Sequence, residues 1–298
     1  MKIHQLILLI AVALLAGIAG AWFFKSDGRS GSAPRQAAEE STYDRVMRTQ
    51  TIRCGYAVWE PALKKDPQTG QLSGIFYDYM EELGKVLKLK IEWTQETGWG
   101  DFPEALRSNR IDVMAAGVWA NGSRAPVVDF SIPLYFNAIY PYVRADDHRF
   151  DAKLDLINSP NITVAAIDGE MSSIIAKNRF PQAKVYSLSQ LSNPSEILLS
   201  VATRKADVTC TDSATALDYM AKNPGSLRQV GSKPLCLFGN TLPMRPGQEA
   251  FRRMIDNATR ELLDNGTIER MIQKYEKHPG SLYRVALPYQ PVTSTSTP

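Results

Sequence analysis

Cysteine is scarce in this chain of 298 residues: Cys54, Cys210 and Cys236 lie far apart, so neither the paired spacing of a zinc site nor a C-x-x-C redox pair exists. Histidine is equally scarce. His4 falls in a hydrophobic leader, His148 in a charged turn and His278 near the chain end, so no base is set beside a nucleophile as triad chemistry requires. Net charge is also low. The 34 Lys+Arg against 31 Asp+Glu leave +3, and no basic run marks a surface for nucleic acid or lipid headgroups. These shortages leave no metal, cofactor or nucleic-acid partner to expect.

What the chain does have is 44% hydrophobic residues, ample for the cores of one large or two modest domains. The run Leu6 to Phe24 carries no charge, and as a helix it would reach about 28 Å, close to a bilayer core. Two readings compete for residues 1–24. One is a signal peptide cut after Ala19-Gly20-Ala21. The other is an uncleaved inner-membrane anchor ending at Trp22-Phe23-Phe24, with Lys25 as its flank. The length and the aromatic end favour the anchor, and both readings export the remainder to the periplasm. Residues 25–42, rich in Gly, Ser, Ala and charge, read as a flexible tether, and residues 288–298 as a disordered tail. An oxidising compartment permits a Cys210–Cys236 disulfide, with buried free thiols as the alternative.

From Tyr43 the pattern is regular. TIRCGYAV, the amphipathic GIFYDYMEELGKVLKL, KIEWTQ, FPEALRSNRI and DVMAAGVW read as β-α-β-α-β, the order of a mainly parallel sheet covered by helices. NITVAAI, SSIIAKNRF, AKVYSL, PSEILLSVATRK, ADVTCTD and SATALDYMAKN repeat the alternation. The fold expected is therefore α/β and two-lobed. Residues 43–138 form the first part of lobe I, 139–238 form lobe II, and 239–287 return to lobe I with the helices QEAFRRMIDNATRELLDNG and TIERMIQKYEKH. The extended segments YFNAIYPYVRAD and PLCLFGNTLPM are the two crossovers, and the cleft between lobes is bordered by strand ends, where such sheets place ligands.

Four stretches resemble the polar-amino-acid-binding family of type II periplasmic solute-binding proteins: GQLSGIFYDYMEELGKVL, FPEALRSNRIDVMAAG, NGSRAPVVDFSIPLYF and LLDNGTIERMIQKY. Together they extend the resemblance from about Tyr43 to Tyr283. It implies a ligand cleft in which Arg124, ahead of FSIPLY, forks onto a ligand carboxylate; a loop arginine paired with Asp129 is the rival reading. Asp212, closing ADVTCTD after Thr211, matches the carboxylate that receives a ligand ammonium, or it caps the helix SATALDYM. Gly117 stands where the family offers a backbone carbonyl. The turn Asp168-Gly169-Glu170-Met171-Ser172 opens a helix whose free N–H groups and dipole suit an anion. Trp59 and Trp99 align with aromatic rings that flank the ligand side chain, against core packing as the alternative.

Some positions depart from the family. Met171 fills a place often held by glycine, Trp119 one that commonly carries a small hydroxyl residue, and Tyr56 one where some relatives place an acid. These changes argue against transferring an arginine, glutamine or histidine specificity unaltered. The resemblance implies capture of an amino acid or similar small carboxylate, by closure of the lobes, for an ABC permease or a membrane signalling partner. The alternative classes are a tethered ligand sensor and a periplasmic enzyme resembling cyclohexadienyl dehydratases. For the enzyme, Glu60, Asp101 and Glu170 are the acid or base candidates.

Overall fold

The computed structural model describes residues 40–286, so the leader, most of the tether and the tail lie outside the described residues. No helix among the described residues is long and apolar enough to cross a membrane. Helix α1 (Thr42–Thr49) starts at Ser41, whose hydroxyl accepts from Asp44 N at 3.1 Å. It leads into β1 (Thr51–Tyr56), after which the hairpin β2 (Lys64–Lys65) and β3 (Leu72–Ser73) precedes α2 (Ile75–Leu87). Ile75, Phe76, Tyr79, Met80 and Leu83 recur at helical spacing and are all fully buried. Each contributes about 1.5–3 kcal/mol through burial. Tyr79 also joins its hydroxyl to that of Thr259 at 2.7 Å. Next come β4 (Lys90–Glu96), α3 (Phe102–Arg107), β5 (Val113–Met114), β6 (Val118–Trp119) and β7 (Asp129–Phe130).

The long strand β8 (Tyr135–Arg144) is buried along nearly its whole length and leads to β9 (Thr163–Ile167), α4 (Met171–Arg179), β10 (Lys184–Leu188) and α5 (Ser195–Ala202). Then follow β11 (Val208–Asp212), α6 (Ser213–Lys222), β12 (Leu227–Gln229), β13 (Cys236–Thr241) and β14 (Pro243–Met244). Helices α7 (Glu249–Asp264) and α8 (Thr267–Tyr275) and strand β15 (Leu282–Arg284) end the described chain.

The strands assemble into two main sheets. The first has the order β4-β1-β5-β14-β7, with β4, β1 and β5 parallel and β14 antiparallel to both its neighbours, β5 and β7. The second runs β10-β9-β11-β8-β13-β6, with β12 and β15 also pairing β8. Helix α2 packs with α7 and α8 on one side of the molecule, while α4, α5 and α6 pack on the strands of the second sheet. This is the two-lobed α/β fold of type II periplasmic binding proteins. Its two crossovers are hydrogen-bonded to each other: β8 and β13 run antiparallel from Tyr135↔Asn240 to Ile139↔Cys236.

One segment departs from its expected form. DVMAAGVW reads as a single strand, yet it breaks between β5 and β6 because Gly117 adopts φ +70, which turns Val118–Trp119 out of the first sheet and onto β13. The thiols are free. Cys210 pairs with Pro141 on one side of β8 and Cys236 with Ile139 on the other, so two strand spacings of about 4.8 Å separate them, more than a disulfide spans.

Candidate ligand-binding site

Trp59, Trp99, Gly117, Trp119, Arg124, Met171, Thr211 and Asp212 line one cavity, together with Glu170 and Pro194. Each is placed by a local device. Trp59 sits where Trp59 and Leu63 exchange backbone hydrogen bonds of 2.8 Å. Its indole N–H donates to Thr215 Oγ1 at 3.1 Å, joining the first lobe to α6 of the second. Its ring stands edge-on to Trp119 at 5.3 Å and to Trp99 at 6.3 Å. Trp119 stacks on Phe238 at 5.5 Å and donates from its indole to Asn240 Oδ1 at 3.0 Å. The three indoles are buried and also form cavity wall, so they pack in the core and face the cavity at once. A side chain at Gly117 would meet Phe76 Cε2 at 2.8 Å and Asn240 Oδ1 at 3.0 Å.

Arg124 lies in the turn after β6, held by a bond from its backbone N–H to Asn121 Oδ1 at 3.1 Å. The side chain is buried over the ring of Phe102, 5.4 Å from its centroid, and donates from Nη2 to the carbonyl of Gly169 at 2.6 Å. It does not pair with Asp129, whose carboxylate accepts instead from Gly247 N at 3.0 Å. Burial lowers the Arg124 pKa to about 10, opposed by the charge of Glu170, so the group stays cationic at neutral pH.

Asp212 ends β11 and caps α6, accepting from Thr215 N at 3.0 Å, while Thr211 Oγ1 lies 3.5 Å from its other oxygen. Burial first, and then Glu170, raise its pKa against the hydrogen bonds from Thr215. Neither Asp212 nor Arg124 has an ion-pair partner within 4 Å among the described residues.

The helix-opening turn departs from expectation. Its N–H groups do not all face a ligand, because Glu170 is the N-cap of α4 and its carboxylate takes the backbone N–H of Ser172 at 2.7 Å. Ser172 points into the turn, donating from its hydroxyl to Glu170 and accepting from Ile167 N at 3.0 Å. Gly169 contributes its carbonyl to Arg124 and lies against Trp99–Gly100 of the opposite lobe, where a Cβ would fall 2.5 Å from Gly100 N. Tyr56 is the residue farthest from its expected role. It leaves the cavity for Trp93, ring centroids 6.2 Å apart, and for Lys65, whose Nζ lies 5.7 Å from the Tyr56 ring centroid.

Of the three acid or base candidates, Glu170 alone lines this cavity. Glu60 pairs with Lys277 at 3.6 Å, and Asp101 is hydrogen-bonded to Gln190 on the cleft rim. Pro194, Asn240, Thr215 and Gln190 escape the sequence reading. Only Asn240 carried a signal, as a polar residue amid the apolar LCLFGNTL. The cavity leaves ≈ 20 Å³ for the centre of a water molecule to move in, room for about one water.

The sequence profile of the bacterial extracellular solute-binding proteins, family 3, matches residues 52–278. The chain belongs to that family. This solute-binding protein is 27% identical over 244 residues to a probable histidine-binding protein of Campylobacter jejuni, covering 80% of this chain and 90% of that one. It is 29% identical over 154 residues to the virulence sensor protein BvgS of Bordetella pertussis, which is 51% of this chain and 12% of the sensor. Among solved structures, it is similar to the ancestral amino acid-binding protein described as a precursor of cyclohexadienyl dehydratase. There the TM-score is 0.69 and the identity 27%, over 80% of this chain and 100% of that one.

Proposed function

We propose that this solute-binding protein captures an amino acid between its lobes and presents it to an ABC-type importer in the periplasm. The observation that carries the reading is the pair Arg124 and Asp212. These are opposite charges, buried, from different lobes, on the wall of one cavity and without ion-pair partners of their own among the described residues. A zwitterion complements them, its carboxylate on the Arg124 fork and its ammonium on Asp212, with the Gly117 carbonyl beside it. The names of the relatives support an amino acid as the ligand class.

Closure is part of the mechanism. The guanidinium that would receive the carboxylate is hydrogen-bonded to Gly169 of the opposite lobe, so ligand entry parts the lobes, exchanges that bond for the carboxylate and lets the lobes close again. Residues 6–24 would hold the protein to the inner membrane or be removed on export. The partial likeness to a sensor supports a signalling partner as the alternative to a permease. Glu170 in the cavity supports a dehydratase as the alternative chemistry.

A thermal-shift screen of the chain against amino acids, small carboxylates, polyamines and prephenate tests the proposal, because a ligand bound by the folded state alone raises its melting temperature. A rise with an amino acid supports the receptor. A rise with prephenate followed by its turnover replaces the receptor with an enzyme.

A further inference from the structure

Hydrogen bonds from both lobes meet at Thr215. From the first lobe, the indole N–H of Trp59 donates to Thr215 Oγ1 at 3.1 Å, and both residues are buried. Within the second lobe, Thr215 meets the Asp212 carboxylate through its backbone N–H at 3.0 Å and also through its hydroxyl. A hydroxyl has one proton to give. With Trp59 on its oxygen, that proton is left for Asp212, and each bond in such a chain strengthens the next. Thr215 and Trp59 also line a neighbouring chamber of ≈ 280 Å³. Once Trp59 withdraws, the Thr215 hydroxyl has water on that side as a rival partner.

We infer that Thr215 is a positioning residue for the ligand's ammonium: held by Trp59, its hydroxyl aims its proton at Asp212 and readies that carboxylate only while the lobes are closed. This rests on the amino-acid reading of the same cavity. It makes closure itself part of recognition, because the indole that seals the lobes acts on the ammonium site through Thr215. The other titratable groups around Asp212 are Glu170 of α4, Tyr135 and Tyr142 of β8, and Arg124 on the cavity wall. All of them are retained in the variants that follow, so a change in the Asp212 titration reports Thr215.

The test follows the Asp212 carboxyl resonance in the full chain carrying isotope-labelled aspartate, assigned by its loss in Asp212→Asn. Thr215→Val keeps the shape without the hydroxyl and should raise the pH at which Asp212 titrates by about one unit, since a carboxylate deprived of a donor ionises less readily. Thr215→Ser should restore the parent value. Trp59→Phe should raise it by a smaller step, and should change nothing further when added to Thr215→Val. Calorimetry with each of the common amino acids gives the second readout. The tightest should bind Thr215→Val at least about tenfold more weakly at neutral pH, and should be lost at a higher pH on acidification. An Asp212 titration indifferent to Trp59→Phe overturns the inference, whether or not Thr215→Val folds. A Trp59→Phe effect that persists in full beside Thr215→Val overturns it also, as does undiminished affinity in Thr215→Val. In each of these cases amino acids still bind, so the amino-acid reading stands and the inference alone falls. If no amino acid binds, both fall.

Discussion

The buried charges of the cavity make opposite demands on stability and on binding. Arg124 is desolvated with no carboxylate within 4 Å among the described residues and only the more distant charge of Glu170 to offset it, so Arg124→Met removes a buried charge and leaves a side chain of similar reach. Its melting temperature should hold or rise. Amino-acid affinity should fall by at least about 30-fold, the cost of truncating one side of a buried charge pair. Calorimetry beside a melting curve checks both, and retained affinity would remove Arg124 from the site.

Asp212 allows a sharper test. Its folded-state pKa is raised above the unfolded carboxyl, so the folded chain holds the extra proton between the two values and loses stability as pH rises through that window. Asn caps a helix about as well as Asp, so Asp212→Asn should keep α6 and shed the charge. The variant should melt higher than the parent at neutral pH, by roughly 2–4 °C for each kcal/mol of relieved cost. The gap should close as the solution is made acid, while ligand binding is lost. A gap independent of pH, measured by melting curves across the acid range, would show that the Asp212 charge costs nothing.

At the scale of elements, most of the fold was legible because the chain alternates hydrophobic periods of two and of 3.6 residues without ambiguity. TIRCGY and IFYDYMEELGKVL announce β1 and α2 by themselves. The break of DVMAAGVW was not legible, since it depends on Asn240 and Phe76 approaching Gly117 from distant parts of the chain. The same limit governs the site. The resemblance named Arg124, Asp212 and the tryptophans as single residues, but the departure of Tyr56 toward Trp93 arises from packing that no spacing encodes, and the local capture of Ser172 N by Glu170 uses a residue type outside the usual N-caps.

Two element-level outcomes follow. Gly169 approaches Gly100 so closely that Gly169→Ala, besides straining φ +73, should keep the α4 turn from seating on the opposite lobe. Small-angle scattering should show that variant more extended than the parent, and an unchanged profile would deny that this contact holds the lobes together. Asn240→Leu should destabilise the chain by about 1–3 kcal/mol, because it leaves the Trp119 indole N–H without an acceptor and Asn137 Oδ1 without a donor. Denaturant unfolding reads that loss, and an unaltered midpoint would mean the buried groups find other partners.

Over the whole molecule, the lobes touch through their own atoms. Arg124 reaches Gly169, Trp59 reaches Thr215, and the side-chain oxygen of Gln190 accepts from Gly100 N at 2.9 Å. The cavity these contacts enclose is far smaller than any amino acid. A ligand therefore cannot enter this form, and binding has to draw on a population in which the contacts are broken. That requirement has a kinetic signature, and Trp59, Trp99 and Trp119 on the cavity wall report it by fluorescence. In rapid mixing, the observed rate should level off as ligand concentration rises, at a limit set by the opening of the lobes. Gln190→Ala, which removes an interlobe bond away from the charged wall, should raise that plateau. A rate that instead climbs linearly with ligand, and is indifferent to Gln190, would mean that the open form predominates in solution and that these interlobe bonds form only after the ligand has bound.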